Sequence, residues 1–474
     1  MATLAYLDIF KREMGLEPSE TQTLMSVMVL PWSPKLIYGI VADTFPICKS
    51  RKKSYITLMG LIQCICALAI PLMPFQDIYL MCAMGTMMAF ASAFMDVIVD
   101  GLMVCQARND PENGSEELQT YSWAMVGIGG VVGGILGGEL VEIGQSMIVF
   151  YILAGVGLAI SVSGCMMSRK IEKSSDKVIN MGLCQRTKMN LVEIKKGFQI
   201  RELYKSVIFF ILLGAVIPSF ADYMYYYELD VAGFTEFQYA TLGIVASLCL
   251  FVGTIAYDLF LKDKGIRFMM VVACLVNMVG AAFTLLFLRG IMFGMDPYWF
   301  MMASSSVTDV LYIAFVNMPG MVLFAKLIPA NIESSMFALL TGLMNLSNLF
   351  LAKMLGNYIN TYIGVTEDNL EDLWKLYAIQ ILCCMIPAFF ICLLPSKMQV
   401  EQVQKALEFR EKQDTMSDAQ AANDLMKLDP NVALRMGLAS KAASFAVPTN
   451  REIDSDSDEV DDDDVGAAIE EEEM

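Results

Sequence analysis

The chain has 474 residues, 56% of them hydrophobic and 18% charged, with a net charge of -18 and no histidine. A soluble domain carries about a quarter charged residues, so a soluble globular class is excluded, and the commonest general base and metal ligand is missing. The acidity is local: 396–474 holds 8 Lys+Arg against 20 Asp+Glu, an acidic appendage rather than a surface for nucleic acid.

The chain opens with MATLAYLDIF, ten apolar-leaning residues before Lys11 and Arg12. That is too short to span, so the first helix is read as a half-helix or the remainder of a longer one. Full-length apolar runs follow at about 21–43, 55–73, 78–105, 118–140, 146–168, 206–229, 237–260, 267–289, 298–325, 333–360 and 374–395. A spanning helix needs roughly 20 mostly apolar residues, so the fold class is all-α, a polytopic membrane protein. Of the 12 cysteines, nearly all fall inside these runs, where free thiols act as small hydrophobes; no disulfide framework is expected.

Loop charge sets orientation. The segment 169–205 carries 10 Lys+Arg against 4 Asp+Glu, and the turns at 49–53 and 262–267 are also basic. Asp77, Glu142, the stretch from Glu228 to Glu236 and the loop 361–372 are acidic or neutral. Basic loops stay cytoplasmic, so both termini and 169–205 are placed inside, with Glu228 to Glu236 in an outer loop. The expected division is 1–168 as an N-terminal six-helix bundle with an incomplete first helix, and 169–205 as a cytoplasmic central loop. The second bundle is 206–395, and 396–474 is a cytoplasmic tail, disordered after about 414. Weak internal similarity supports two halves. Asp43-Thr-Phe and its basic turn recur as Asp258-Leu-Phe with Lys262, Lys264 and Arg267; Asp96-Val97 recurs as Asp309-Val310; and each is followed by an acidic helix start, Glu117 and Glu333. Repeated halves with a site between them are a transporter architecture. In the tail, 398–413 reads as an amphipathic helix.

Ionisable groups inside membrane helices are costly and usually face the bundle interior. Lys35 lies roughly 21 Å into its run, near the midplane, and Asp309 is comparably deep. Asp96 and Asp100, four residues apart, share one helical face, and Asp222 stands four residues after Pro218. Lys35 is therefore a candidate counter-charge for an anionic substrate or a carboxylate. Asp96, Asp222 and Asp309 are candidate proton or substrate handles, because a carboxylate in low dielectric can take up and release a proton. The competing reading pairs these charges with one another. Gly39 and Asp43 precede the basic turn; the glycine permits close helix approach, and the carboxylate could lock to a neighbouring helix end. Seven glycines between Gly127 and Gly138 fall at small-xxx-small spacing; with no following lysine and hydroxyl they predict packing, not a phosphate loop. Tyr225, Tyr226 and Tyr227 fit an aromatic belt or a stacking surface.

With these residues assembled, the chain resembles the folate-biopterin transporter family of the major facilitator superfamily. The resemblance covers residues 4 to about 395. It rests on PWSPKLIYGIVADTFP with RKKSY, MDVIVDGLMVCQAR, IPSFADYMYYYEL with GTIAYD, and DVLYIAFVNMPGMVLFAKLIPANIESSMFALLTGLMN. It implies a twelve-helix, proton-coupled, alternating-access carrier (a symporter) for folates, pterins or related anionic metabolites. By position, the charged motif residues fall on Lys35, Asp43, Asp96, Asp100, Arg108, Asp222, Asp309 and Glu333, with Asn345 beyond. The chain departs from the family pattern where Pro34 precedes Lys35 and where Cys105 replaces an acidic residue. No cofactor or metal is expected, and the partners are a small-molecule substrate and the bilayer. The protein is expected to be a multi-pass monomer of the plasma membrane, an organelle membrane being the other setting. The competing class is a scaffold or degenerate carrier that moves nothing. A pump is disfavoured without a G-x-x-x-x-G-K-[ST] motif, and an enzyme without a nucleophile–base pair.

Overall fold

A computed structural model describes residues 1–47, 50, 52–72, 77–107, 114–168, 192, 195, 199–328 and 333–412. The described residues are helical apart from turns and one isolated bridge, Ile47 to Ser50. Among the described residues, eleven helical stretches are long and apolar enough to cross a membrane, in line with the all-α reading.

Helix α1 (Ala2–Asp8) continues through a π turn, Ile9–Glu13. It is followed by α2 (Pro18–Val29), α3 (Lys35–Thr44), α4 (Lys53–Leu72), α5 (Ile78–Ala107), α6 (Gly114–Glu142) and α7 (Ser146–Met166). From residue 201 come α8 (Arg201–Val216), α9 (Ala221–Asp230), α10 (Glu236–Ala256), α11 (Ile266–Leu288), α12 (Pro297–Tyr312), α13 (Met318–Leu327), α14 (Glu333–Asn345), α15 (Ala352–Ile363), α16 (Leu373–Cys383) and α17 (Lys397–Lys412).

Several runs that read as single helices are broken, for identifiable reasons. The run 21–43 splits at a 3-10 turn, Leu30–Trp32, and Pro34 is the N-cap of α3. Proline has no N–H to continue a helix ladder. The run 206–229 splits at Ile217–Phe220 around Pro218. Its freed groups are satisfied across the fold: Ser219 N–H donates to Ala352 O at 3.0 Å, and Gln380 Nε2 donates to Pro218 O at 2.9 Å. The run 374–395 becomes α16 and a 3-10 segment, Ile386–Leu393, with Pro387 near its start.

One core joins α1, α4 and α7 to α9, α11 and α16, with Phe10, Phe150, Tyr225, Phe287 and Leu376 buried in it. It ties the two parts of the chain together. A second core gathers α8, α11, α13 and α17. Helix α17 buries Val400, Val403, Ala406 and Phe409, the apolar stripe expected of an amphipathic helix.

Glycine sets the closest helix contacts. In the α6 run, a Cβ on Gly138 would lie 2.8 Å from Ala240 Cβ, and one on Gly127 would lie 2.9 Å from the Phe251 ring. These glycines serve packing against α10. The α4–α7 pair is tighter still: a Cβ on Gly157 would meet Cys64 N at 2.7 Å and Gly60 O at 2.9 Å. These are backbone atoms that cannot swing aside. Gly157→Ala is therefore expected to destabilise the protein by about 1–3 kcal/mol, the cost of overpacking, measured as a lowered midpoint of thermal unfolding in detergent. Gly155→Ala is the control, since its Cβ would meet nothing within 4 Å; an equal loss in both variants would refute the packing account.

Candidate functional site

The break before α3 creates the first feature of the site. Lys35 is the first residue of α3 rather than the middle of an unbroken helix. Its ammonium donates to Asp96 Oδ2 at 2.7 Å and lies 4.8 Å from the centroid of the Trp32 ring. The turn is pinned on both sides. Tyr38 Oη donates to Pro31 O at 2.8 Å, and Asn345 Nδ2, from α14, donates to Trp32 O at 3.3 Å. The Phe94 ring stacks with both Tyr38 and Tyr55 at 5.2 Å, which orients α5 and its Asp96. The lysine side chain is 11% exposed and the aspartate 38%. The carboxylate, not the ammonium, is thus the more open member. Asp100, one turn further along α5, is exposed.

A second cluster lies toward the end of the bundle opposite the basic loops. Asp222, at the start of α9, accepts from Lys353 Nζ at 2.6 Å. Asp222 is 4% exposed. Gln22 of α2 donates to Lys353 O at 2.9 Å and to Asn357 Oδ1 at 3.0 Å, while Asn357 donates to Ser19 O at 2.8 Å and Thr23 Oγ1 at 2.7 Å. Tyr223 Oη donates to the same Asn357 Oδ1 at 3.0 Å. Tyr226 Oη donates to Leu16 O at 2.6 Å and shares a 2.8 Å hydrogen bond with Thr21.

A third layer lies beyond it. Lys11 pairs with Asp230 at 2.5 Å and reaches Glu367 at 3.8 Å. Arg12 contacts Asp8 at 3.2 Å through Nε and Glu236 at 2.9 Å through Nη2. Ser146 donates to Asp8, and Tyr225 donates to both oxygens of Glu236 at 3.0 and 3.1 Å. These contacts connect α1 with its π turn, and α7, to α9, α10 and the 3-10 segment Glu367–Asp372. They join the start of the chain to its second part.

Several expectations are corrected here. Tyr225 and Tyr226 are fully buried and hydrogen-bonded, and Tyr227 is 8% exposed with its hydroxyl 3.3 Å from Leu288 O; they form core and closure, not a belt. Glu228 and Glu236 are 2% and 0% exposed, not part of a solvated outer loop, because α9 extends to Asp230 and α10 begins at Glu236. Lys353, Lys11 and Arg12 escaped the list of candidates. Lys353 carried a usable signal, being a lone cation well inside the run 333–360. Arg12 carried less, since only the fold brings it to Glu236.

The remaining candidates are dispersed. Asp309 on α12 is half-buried, and its side chain has no hydrogen bond or ion pair among the described residues. A Cβ on Gly39 would touch Val97 Cγ1 at 3.4 Å, so α3 and α5 pass close there. Asp43 belongs to α3 and Glu333 begins α14; their side chains, and Arg108, lie outside the described residues. An apolar pocket at the α6–α10 seam is lined by Ala124, Gly127, Val131, Ser247 and Phe251. It offers no charged group to an anionic ligand. No cluster of metal-ligating side chains occurs among the described residues.

A family model described as the BT1 family matches residues 1–413. A folate-biopterin transporter of Synechocystis sp. is 28% identical over 411 residues, covering 84% of this chain and 78% of that protein. Folate transporter 1 of Plasmodium falciparum is 23% identical over 414 residues, covering 85% and 78%. Among solved structures, the nucleoside transporter NupG superposes with a TM-score of 0.59 at 13% identity, over 83% of this chain and 96% of that one. A D-xylose-proton symporter gives 0.59 at 11%, over 84% and 97%. These two likenesses establish a fold of the major facilitator type.

Proposed function

Because the chain belongs to the BT1 family, whose members are transporters and not enzymes, we propose that it is a secondary-active carrier of folates, pterins or related anionic metabolites. In this reading it works by proton-coupled alternating access, as a monomer in the plasma membrane. Residues 1–168 and 206–395 act as the two rocking bundles, joined by the loop 169–205, with 396–474 as a cytoplasmic tail.

The observation that carries the proposal is the Lys35–Asp96 pair beside Trp32, held at the helix break. A charged pair deep in a bundle marks a pathway more often than it stabilises a fold. Broken helices around it supply the irregular backbone that transporter sites use. Trp32 offers a flat surface to a ring, Asp96 an open acceptor edge, and Lys35 a cation released when a substrate carboxylate or a proton takes its place. Asp309 is the candidate proton handle of the second bundle. Asp222 serves through Lys353, as part of the closure. Gly39, Asp43, Asp100, Arg108, Glu333 and Asn345 act at the gates.

The test is uptake of labelled folate and biopterin by a transport-deficient host at two external pH values. Asp96→Asn and Asp309→Asn are each expected to lower uptake by about tenfold or more, a loss of at least ~1.4 kcal/mol, with surface protein unchanged. Absence of uptake by the wild-type chain under both conditions would overturn the reading. Wild-type-like uptake by both variants would remove these carboxylates from the mechanism.

A further inference from the structure

Glu228 is a buried carboxyl that the pathway above does not use. It is 2% exposed. Its side chain has neither a hydrogen bond nor an ion pair among the described residues; its backbone belongs to α9, and its carbonyl also accepts from Phe234 N–H at 2.8 Å. Around it, the ionisable side chains within electrostatic reach are Tyr239 of α10 and Tyr377 of α16. The other charges at this end are committed elsewhere. Lys353 pairs with Asp222, Lys11 with Asp230, Arg12 with Glu236 and Lys375 with Asp372. Arg289 lies over the Trp374 ring. The carboxylates of the neighbouring 3-10 segment, Glu367 to Asp372, add negative charge and no partner.

We propose that Glu228 is a proton-binding site, and that its proton is what allows α9 to seat against α10 and α16. An ionised carboxylate without a partner is among the least tolerable groups in a protein interior. The neutral acid fits the same place at far lower cost. Loss of the proton therefore drives the carboxylate toward water, and α9 must shift to let it out. Helix α9 is built to move as a unit, because the break at Pro218 separates it from α8. It also carries two of the contacts that cross to the other part of the chain: Tyr226 to Leu16 and Thr21, and Asp230 to Lys11. One short helix thus links a proton to the outer closure, a two-state element biased from both ends.

The sign follows from linkage. The proton is bound in the closed form and released in the open form, so acidification favours closure. For one proton, the closed-to-open ratio changes by up to about tenfold per pH unit. The consequence for transport rests on the alternating-access reading above. The test does not, since it needs no substrate: absent uptake would sink that reading and leave this one standing.

Spin labels at Ile143 and Val231, both exposed and outside the network, report the distance between the outer ends of α6 and α9. In lipid nanodiscs the wild-type distribution should shift toward the short distance as pH falls. Glu228→Gln, a neutral isostere, should stay short at every pH. Glu228→Asp should keep a pH response. An infrared carbonyl band of a protonated carboxylic acid, present in the wild type and missing in Glu228→Gln, would locate the proton independently. A wild-type distribution that ignores pH, or a Glu228→Gln protein that responds like the wild type, overturns the proposal.

Discussion

Replacing Lys353 by alanine is expected to destabilise the protein by about 3–5 kcal/mol, the usual consequence of removing one partner from a buried ion pair. Asp222 would be left 4% exposed without its 2.6 Å cation. The Lys353 side chain is itself 16% exposed, so little water screens the loss. Thermal unfolding in detergent reads the effect directly. The double variant Asp222→Asn with Lys353→Gln removes both charges and should recover most of the stability, because residues in contact are non-additive. Uptake separates the two roles of the pair. If the charges matter for closure alone, the double variant transports. If Asp222 must ionise during the cycle, the double variant is stable and silent. A Lys353→Ala protein as stable as the wild type would show that the pair contributes nothing to the closed form.

Arg12→Gln is the second large effect. Arg12 is half exposed, but the carboxylates it holds are not: the side chains of Asp8 and Glu236 are 5% and 0% exposed. Its removal leaves two buried carboxylates without the cation they share. Because water reaches the guanidinium, the cost is expected to be lower than for Lys353, about 2 kcal/mol. It should appear as opening of the outer end, a longer distance between labels at Ile143 and Val231. Arg12→Lys should rescue only in part. A guanidinium reaches Asp8 through Nε and Glu236 through Nη2 at once, and a single ammonium lacks that fork. An unchanged distance distribution in Arg12→Gln would remove this bridge from the closure.

How far the fold was legible can be judged from particular elements. The membrane runs were readable because spanning length and apolar composition are local properties. The breaks at Pro31 and Pro34, Pro218 and Pro387 were half-readable: proline announces an interruption, but not how the freed carbonyls are satisfied. Lys35 stood out because one cation in an apolar run is conspicuous. That its partner is Asp96, 61 residues away, was one of several pairings the residues allowed. Lys353 is equally conspicuous, as the one cation in the run 333–360. The burial of Tyr225, Tyr226 and Tyr227 was not legible, because an aromatic cluster near a helix end looks the same in sequence whether it faces headgroups or a core.

The amino-acid order alone determined that this is an all-helical membrane chain, which loops are basic, and which few charges sit in apolar surroundings. Each of these depends on residues close together along the chain. Only the tertiary structure decided that Asp222 meets Lys353 across 131 positions, that Arg12 bridges to Glu236, and that Glu228 is buried with no counter-ion among the described residues. Burial and ion pairing depend on which face of each helix meets which neighbour, and helix composition leaves that choice open until the bundle closes.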